Sequence, residues 1–377
     1  MRLAPLFLLS LAACGRRSVP PAPVSPVAAS APFAPTPAVP SAAGADAGAS
    51  ASGAAADGGE PGFTVRAVSL PGAAGPVSLD YLACDRARGR VFIPAGGTGS
   101  VDVLDTATGN MTRIEGFPTA QREVHGKARS MGPSSASMGD GVVYVGNRAN
   151  SEICAIDQAR LARGACVTIA SSPDGVSYVS TTKELWVTTP RDKALWVLDA
   201  TIAAKLVPKT TIKLEGEPEG YAVDEVRGLF FTNLEDKDKT LAIDARTHEV
   251  SATWNPHCGE QGPRGLAIDP ARRFLFVACT DHVEVLDAAH DGAELSKLDT
   301  GAGVDNIDYL PARGLVYVAA GKAATLTVAH VDDKGLLTVV ARAPTSEGAR
   351  VVVADQSGIA YVADPAGGRL LVLSTIR

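Results

Sequence analysis

Long apolar runs are missing from this chain. After Leu11 no stretch approaches the roughly 20 consecutive apolar residues of a membrane-spanning helix, so the sequence offers no helical span. An excess of basic residues is missing too, since 35 Lys and Arg face 41 Asp and Glu for a net charge of −6. Aromatic residues make up 5% of the chain and are not interleaved with basic ones, so nucleic-acid binding has no electrostatic footprint. No segment sustains a 3.6-residue apolar period, which excludes a helix-rich fold. Catalytic signatures are equally scarce. There is no Gly-x-Ser-x-Gly elbow and no Cys-x-x-Cys-His haem attachment. Gly96-Gly97-Thr98-Gly99-Ser100 lacks the lysine and following helix of a phosphate loop and reads as a hairpin.

A repeat stands in place of these features. Short apolar strands end in Asp105, Asp157, Asp199, Asp244 and Asp287, with degenerate copies at His330 and Ser374, spaced 52, 42, 45, 43, 43 and 44 residues apart. A period near forty in a β-rich chain indicates radial blades or a solenoid. Within each unit an apolar strand, a turn, a second strand, a loop, the strand ending in Asp and a more polar fourth strand follow in order. The second strands are continuously apolar, as in Phe274-Leu275-Phe276-Val277, which fits inner strands packed on both faces. Seven such units predict an all-β, seven-bladed β-propeller of four-stranded antiparallel blades. Too few residues follow Leu373 for a fourth strand, and residues 63–70 supply the missing one. Their pairing with the last blade would close the ring and remove an exposed edge. A solenoid needs no such exchange.

Tyr144-Val145-Gly146-Asn147 and Phe230-Phe231-Thr232-Asn233 lie close to the Tyr-Val-Thr-Asn signature. With Gly262-Pro263-Arg264-Gly265, Gly303-Val304-Asp305 and Gly348-Ala349-Arg350, they make residues 63–377 resemble the YVTN-repeat propellers, a largely extracytoplasmic family of mostly undefined role. Phe92-Ile93-Pro94-Ala95 and Tyr317-Val318-Ala319-Ala320 depart from that signature. Ahead of the repeats, Met1-Arg2, the apolar Leu3–Leu11 and Leu11-Ala12-Ala13-Cys14-Gly15 read as a secretory signal. The Cys after small residues resembles the lipobox of bacterial lipoproteins, which implies cleavage before Cys14 and a diacylglycerol anchor on its sulfur.

Three segments are therefore expected: a signal peptide over 1–13, a disordered tether over 14–61 and the propeller over 62–377. Within the tether, Ser18–Glu60 holds 43 residues, almost all Ala, Pro, Ser, Gly and Val, with no Lys or Arg. An extended chain of that length reaches about 130 Å at ~3.1 Å per residue. The expected address is the bacterial envelope, through the lipid; Gly15 in place of the Asp that signals inner-membrane retention leans this towards the outer membrane, facing periplasm or cell surface. A monomer is expected.

Five of the six cysteines lie in the propeller segment. Cys154 and Cys166 fall on the third and fourth strands of blade two and can face one another. Cys258 and Cys279 flank the first two strands of blade five on one face. In an oxidising compartment both pairs are disulfide candidates. For the second pair a zinc site is the alternative, because His257-Cys258 and Cys279-Thr280-Asp281-His282 bring two Cys and two His together. Cys84 is left as a buried free thiol.

First strands of a propeller line its channel. Aligning the units puts Asp80, Ser134, Asp174, Glu219, Arg264, Asp305 and Arg350 at one mouth, with Asn306 beside Asp305. Such a ring could bind a small charged ligand, hold a Ca²⁺-like ion through oxygen ligands, or simply keep a solvated mouth soluble. The insertion 119–132 carries His125 among Arg122, Glu123, Lys127 and Arg129 and could overhang that mouth. Two functions stay open. One is a non-catalytic binding or scaffold module for an envelope protein, a glycan or a small polar ligand, with no resident cofactor. The other is a metal-dependent hydrolase of the lactonase kind, its ion held by Asp80, Asp174, Glu219 and Asp305.

Overall fold

The computed structural model describes residues 62–124, 126–203 and 205–375. The expected signal peptide and tether, with Cys14, and His125 lie outside the described residues. Among the described residues no helix is long and apolar enough to cross a membrane.

Seven four-stranded antiparallel sheets follow one another along the chain. Blade one is Ala83–Asp85, Arg90–Ala95, Ser100–Asp105 and Met111–Ile114; blade two is Pro133–Met138, Val142–Asn147, Glu152–Asp157 and Ala162–Thr168. Blade three is Val176–Val179, Glu184–Thr189, Ala194–Asp199 and Val207–Lys213; blade four is Pro218–Asp224, Leu229–Leu234, Lys239–Asp244 and Val250–Trp254. Blade five is Leu266–Asp269, Phe274–Ala278, His282–Asp287 and Ala293–Asp299; blade six is Val304–Leu310, Leu315–Ala320, Thr325–Val331 and Leu337–Pro344. Blade seven takes Val351–Ala354, Ala360–Asp364 and Arg369–Thr375 from the end of the chain and Phe63–Ser69 from its beginning. The exchange expected from the sequence is present, in register from Phe63 opposite Thr375 to Ser69 opposite Arg369. The insertion is a two-stranded hairpin, Ala120–Val124 with Lys127–Met131.

The core is a ring of seven apolar clusters, each bridging two neighbouring blades. Phe276 and Val285 of blade five meet Tyr309, Val316 and Val318 of blade six. Tyr361 and Leu370 of blade seven meet Val91 and Ile93 of blade one, so the apolar contacts run through the junction of the chain ends. This is why second strands read as continuous apolar runs: one face packs forward and the other packs back.

The repeating aspartates make turns. Asp105 accepts from the Ala107 and Thr108 N–H groups, Asp157 from Ala159 and Arg160, and Asp244 from Arg246 and Thr247. Hydrogen bonds from Thr108, Arg160, Thr201 and Thr247 hold the carboxyls of Asp105, Asp157, Asp199 and Asp244 below the usual range. Both disulfides form. Cys154–Cys166 joins directly opposed residues of blade two, and Cys258–Cys279 ties the loop before blade five to the end of its second strand. That pairing decides against a resting zinc site there, and His257 turns outward, 64% exposed, towards Glu294. Cys84 is free and half-buried, its thiol pushed up to about 12 mainly by burial.

Deleting Phe63–Ser69 should lower the urea midpoint sharply, because a ladder of bonds worth ~0.5–1.5 kcal/mol each is lost and an inner edge is bared. Unchanged unfolding of that variant would show that closure contributes nothing to stability.

Candidate functional site

The predicted ring residues separate into three levels along the axis. Arg264, Asp305 and Arg350 line a vestibule of about 1030 Å³ at one mouth. Asp80, Asp174 and Glu219 lie beneath it, lining neither cavity, and Asn306 opens onto a smaller cavity of about 250 Å³ on the far side. Backbone bonds between neighbouring first strands fix this arrangement: Gly265 N–H to Asp305 O at 2.8 Å, Asn306 N–H to Arg350 O at 3.2 Å, and Tyr81 N–H to Ser134 O at 3.0 Å.

The middle level is a plug. The Arg148 guanidinium reaches Asp80 Oδ2 at 2.6 Å and also pairs with Asp174. Tyr81 donates its hydroxyl to Glu219 Oε1 at 2.7 Å and accepts the Gly220 N–H at 3.3 Å. Tyr221 stacks on Tyr81 with ring centroids 5.5 Å apart. Glu219 and Tyr221 both reach the plug because the strand bulges between them: register shifts at Gly220, whose φ is +66° and whose missing Cβ leaves room for the Arg264 carbonyl. One oxygen of the level, Asp174 Oδ2, is buried without a partner.

Sequence alignment missed Arg148 and Tyr81. It compared residues entering the first strands, whereas Arg148 leaves the second strand of blade two, which returns antiparallel to the same face. Ser134 was the short side chain at that level. It is buried with its hydroxyl 3.4 Å from Gly146 O, and Arg148 supplies the charge that the blade otherwise lacks. Tyr81 follows Asp80 directly and could have been found as an aromatic next to an axial acid.

Electrostatics follow from crowding. Burial and the neighbouring Asp174, Asp305 and Asp80 carboxylates push Glu219 well above the usual carboxyl range. Burial also raises Asp174, against the pull of Arg148. Asp305 is pushed up to about 6 by burial, opposed by Arg350, whose Nε lies 3.0 Å from Asp305 Oδ2. Burial disfavours the Arg148 charge, but Asp174 and Asp80 outweigh it and keep the guanidinium ionised.

Vestibule walls come from three places. Residues 72–79, between the closing strand and blade one, form one side, and Ala128, Arg129 and Ser130 of the inserted hairpin form another. Thr280, Lys322 and Glu347 come from the loops of blades five to seven. Arg264 is held back by Glu235, whereas half of the Arg350 side chain stays exposed. Arg86 lines the smaller cavity, donating to Asp308 Oδ2 at 2.6 Å and to the Ala354 carbonyl at 2.9 Å.

Among the described residues, the clusters of three or more metal-ligating side chains with atoms within 4.8 Å of one another lie in blade two and blade five, with His257 ahead of the latter; none is on the axis. Between Asp80 and Asp174 the cationic place is taken by Arg148.

No family model matches the chain, and no curated protein matches it in sequence. Solved structures do match in fold. The Cps50 (Swd1) β-propeller domain of Myceliophteria thermophila superposes with a TM-score of 0.66 at 12% identity, over 84% of this chain and 100% of that one. Hydrazine synthase of Kuenenia stuttgartiensis gives 0.65 at 15%, over 82% and 97%. Virginiamycin B lyase of Staphylococcus aureus gives 0.62 at 13%, over 84% and 100%. At these identities the likeness shows the seven-bladed fold alone.

Two substitutions test the plug. Tyr81→Phe strips Glu219 of its donor in a buried site and should cost ~1–3 kcal/mol in chemical denaturation. Glu219 binds its proton more tightly folded than unfolded, so its contribution is complete below the unfolded value and is lost as pH rises through the folded one. Glu219→Gln should therefore match the parent near pH 4 and exceed it in stability near pH 8. A constant difference between the two across that range would refute the raised carboxyl.

Proposed function

We propose that this protein is a non-catalytic binding propeller that takes a small anionic or zwitterionic molecule in the axial vestibule. The observation that carries this reading is Arg350, fixed at Nε by Asp305 while half of its side chain faces a space of about 1030 Å³. That volume sits at the upper end of the ~300–1,000 Å³ of ordinary ligand sites. Lys322 and Arg129 add positive charge to the same walls, and glycines 72, 75, 97, 303, 321 and 348 line them without side chains. A carboxylate or phosphate on the ligand would meet the Arg350 fork, and an ammonium or hydroxyl would reach Asp305 beneath it. The larger exposed apolar side chains, such as Ile202, Val226 and Leu336, come from separate blades, which favours a small ligand over a protein docking face.

The reading includes an address. The lipobox-like Cys14 and the Pro- and Ala-rich tether support a lipid-anchored envelope protein of the YVTN-repeat kind, leaning to the outer membrane. The lactonase-like alternative has less support, because Asp80 and Asp174 pair with Arg148 and Glu219 accepts the Tyr81 hydroxyl.

Thermal-shift screening against dicarboxylates, sugar acids, amino acids and phosphorylated sugars should identify a stabilising ligand. Calorimetry with that ligand should show a loss of ~10–100-fold for Arg350→Ala, the equivalent of a charge-assisted bond of ~1.5–3 kcal/mol. Arg160→Ala, on an outward turn, should bind as the parent does. Saturating amounts of every class leaving the melting temperature unmoved would sink the small-ligand reading.

A further inference from the structure

Blade five buries a carboxylate that its surroundings do not satisfy. Glu284 lies in the middle of the third strand with a fully buried side chain, at a place where blades four and seven carry Leu241 and Leu371 and blade one carries Asp102, another buried acid but with no Cys or His ligand atom clustered beside it. Its Oε1 meets His282 Nε2 at 3.2 Å and Lys297 Nζ at 3.9 Å, and its Oε2 is buried with no partner. A buried, half-paired acid is costly in a strand that an aliphatic residue would fill. Beside it is a second anomaly. The sulfur of Cys279, a nitrogen of His282 and an oxygen of Glu284 lie within 4.8 Å of one another, all on buried residues. Cys258 Sγ is bonded to that same sulfur. The other nitrogen of His282 is fixed by Asp281 Oδ1 at 2.5 Å, the outer carboxylate that orients a ligating imidazole in metal sites.

We propose that Cys258, Cys279, His282 and Glu284 form a redox-gated site for a divalent metal of the zinc class. The set is two thiolates, one imidazole and one carboxylate, sufficient for a closed tetrahedral centre. In the oxidised chain the Cys258–Cys279 bond occupies both sulfurs and the site is shut. A dithiol donates two electrons and two protons to that bond, closing its own disulfide and leaving two thiols. The metal then displaces both thiol protons, stays divalent throughout, and gives Glu284 Oε2 the partner it lacks. This set differs from the one in the sequence motif: Glu284 joins it, and His257, mostly exposed and paired with Glu294 at 3.8 Å, stays outside the four although its ring nitrogen lies within 4.8 Å of a Glu284 oxygen. The site abuts the vestibule without sharing its ligands, because Gln261 and Thr280 of the adjoining loops line the vestibule wall.

The test uses the full chain carrying Cys154→Ser and Cys166→Ser, which removes the other paired sulfurs. A phosphine reductant, which ends as its oxide with oxygen from water, opens the remaining bond without competing for metal. Titration with Co²⁺ should then give one equivalent of tetrahedral cobalt, with a thiolate-to-cobalt charge-transfer band, and Zn²⁺ should bleach it. The unreduced chain should show none of this. Glu284→Gln, isosteric and uncharged, should weaken Co²⁺ binding at least tenfold after reduction, and His282→Gln should do the same. Should the reduced chain lose its sheet signal, Co²⁺ is expected to restore it. No charge-transfer band after reduction, no restoration, or equal affinity in the Glu284→Gln chain would each overturn the assignment.

Discussion

The pairing of Phe63–Ser69 with Arg369–Thr375 is the constraint on which the molecule rests. A row of twisted sheets packed face to face has two free ends, and an open row would bare an apolar blade face at each. Joining strands from the two ends of the chain in one sheet turns the row into a ring. The inter-blade clusters then become equivalent, and each second strand can be apolar on both faces without exposing either. Ring closure also forces the first strands inward, which converts residues far apart in sequence into neighbours around an axis.

That convergence has an electrostatic consequence. Asp80, Asp174, Glu219 and Asp305 are drawn together by topology, and their crowding raises the Glu219 carboxyl well above its usual range. The structure answers in two ways. Arg148 supplies a permanent positive charge between two of them, and Glu219, its carboxyl raised, accepts the Tyr81 hydroxyl. The middle of the axis is thereby occupied, and the larger of the two cavities lies above it, where Arg350 and Asp305 hold each other.

The fold was legible because its signal is distributed. Repeated Val-Leu-Asp and Ala-Ile-Asp strands report the period, and the period reports the architecture, whatever any one blade does with its signature. Asp105 and Asp244 also show why these acids recur, since each accepts the N–H groups of the turn that follows it. The pairing of the four cysteines was legible for a similar reason, being set by strand order. The axial level was legible only in part. Asp80, Asp174, Glu219, Arg264, Asp305, Asn306 and Arg350 do gather near the axis, but a column of aligned residues carries no depth. Whether a side chain rises into the vestibule or sinks into the plug depends on bulges such as Gly220 and on partners such as Arg148, which arrive from other strands. Glu284 was invisible for the opposite reason. In an alternating Val-Glu-Val stretch it reads as a solvent-facing residue near the rim, and only packing reveals that its face is covered.

The closing strand also makes the propeller directional under load. Tension carried through the residues ahead of Gly62 arrives first at the seven residue pairs between Phe63–Ser69 and Arg369–Thr375, before it reaches any complete blade. A pull along the strand shears all of these bonds together, whereas a pull across it peels them one by one from the Phe63 end. The same ladder is thus strong or weak according to the angle at which the chain is drawn, and the domain resists being dragged far better than being lifted.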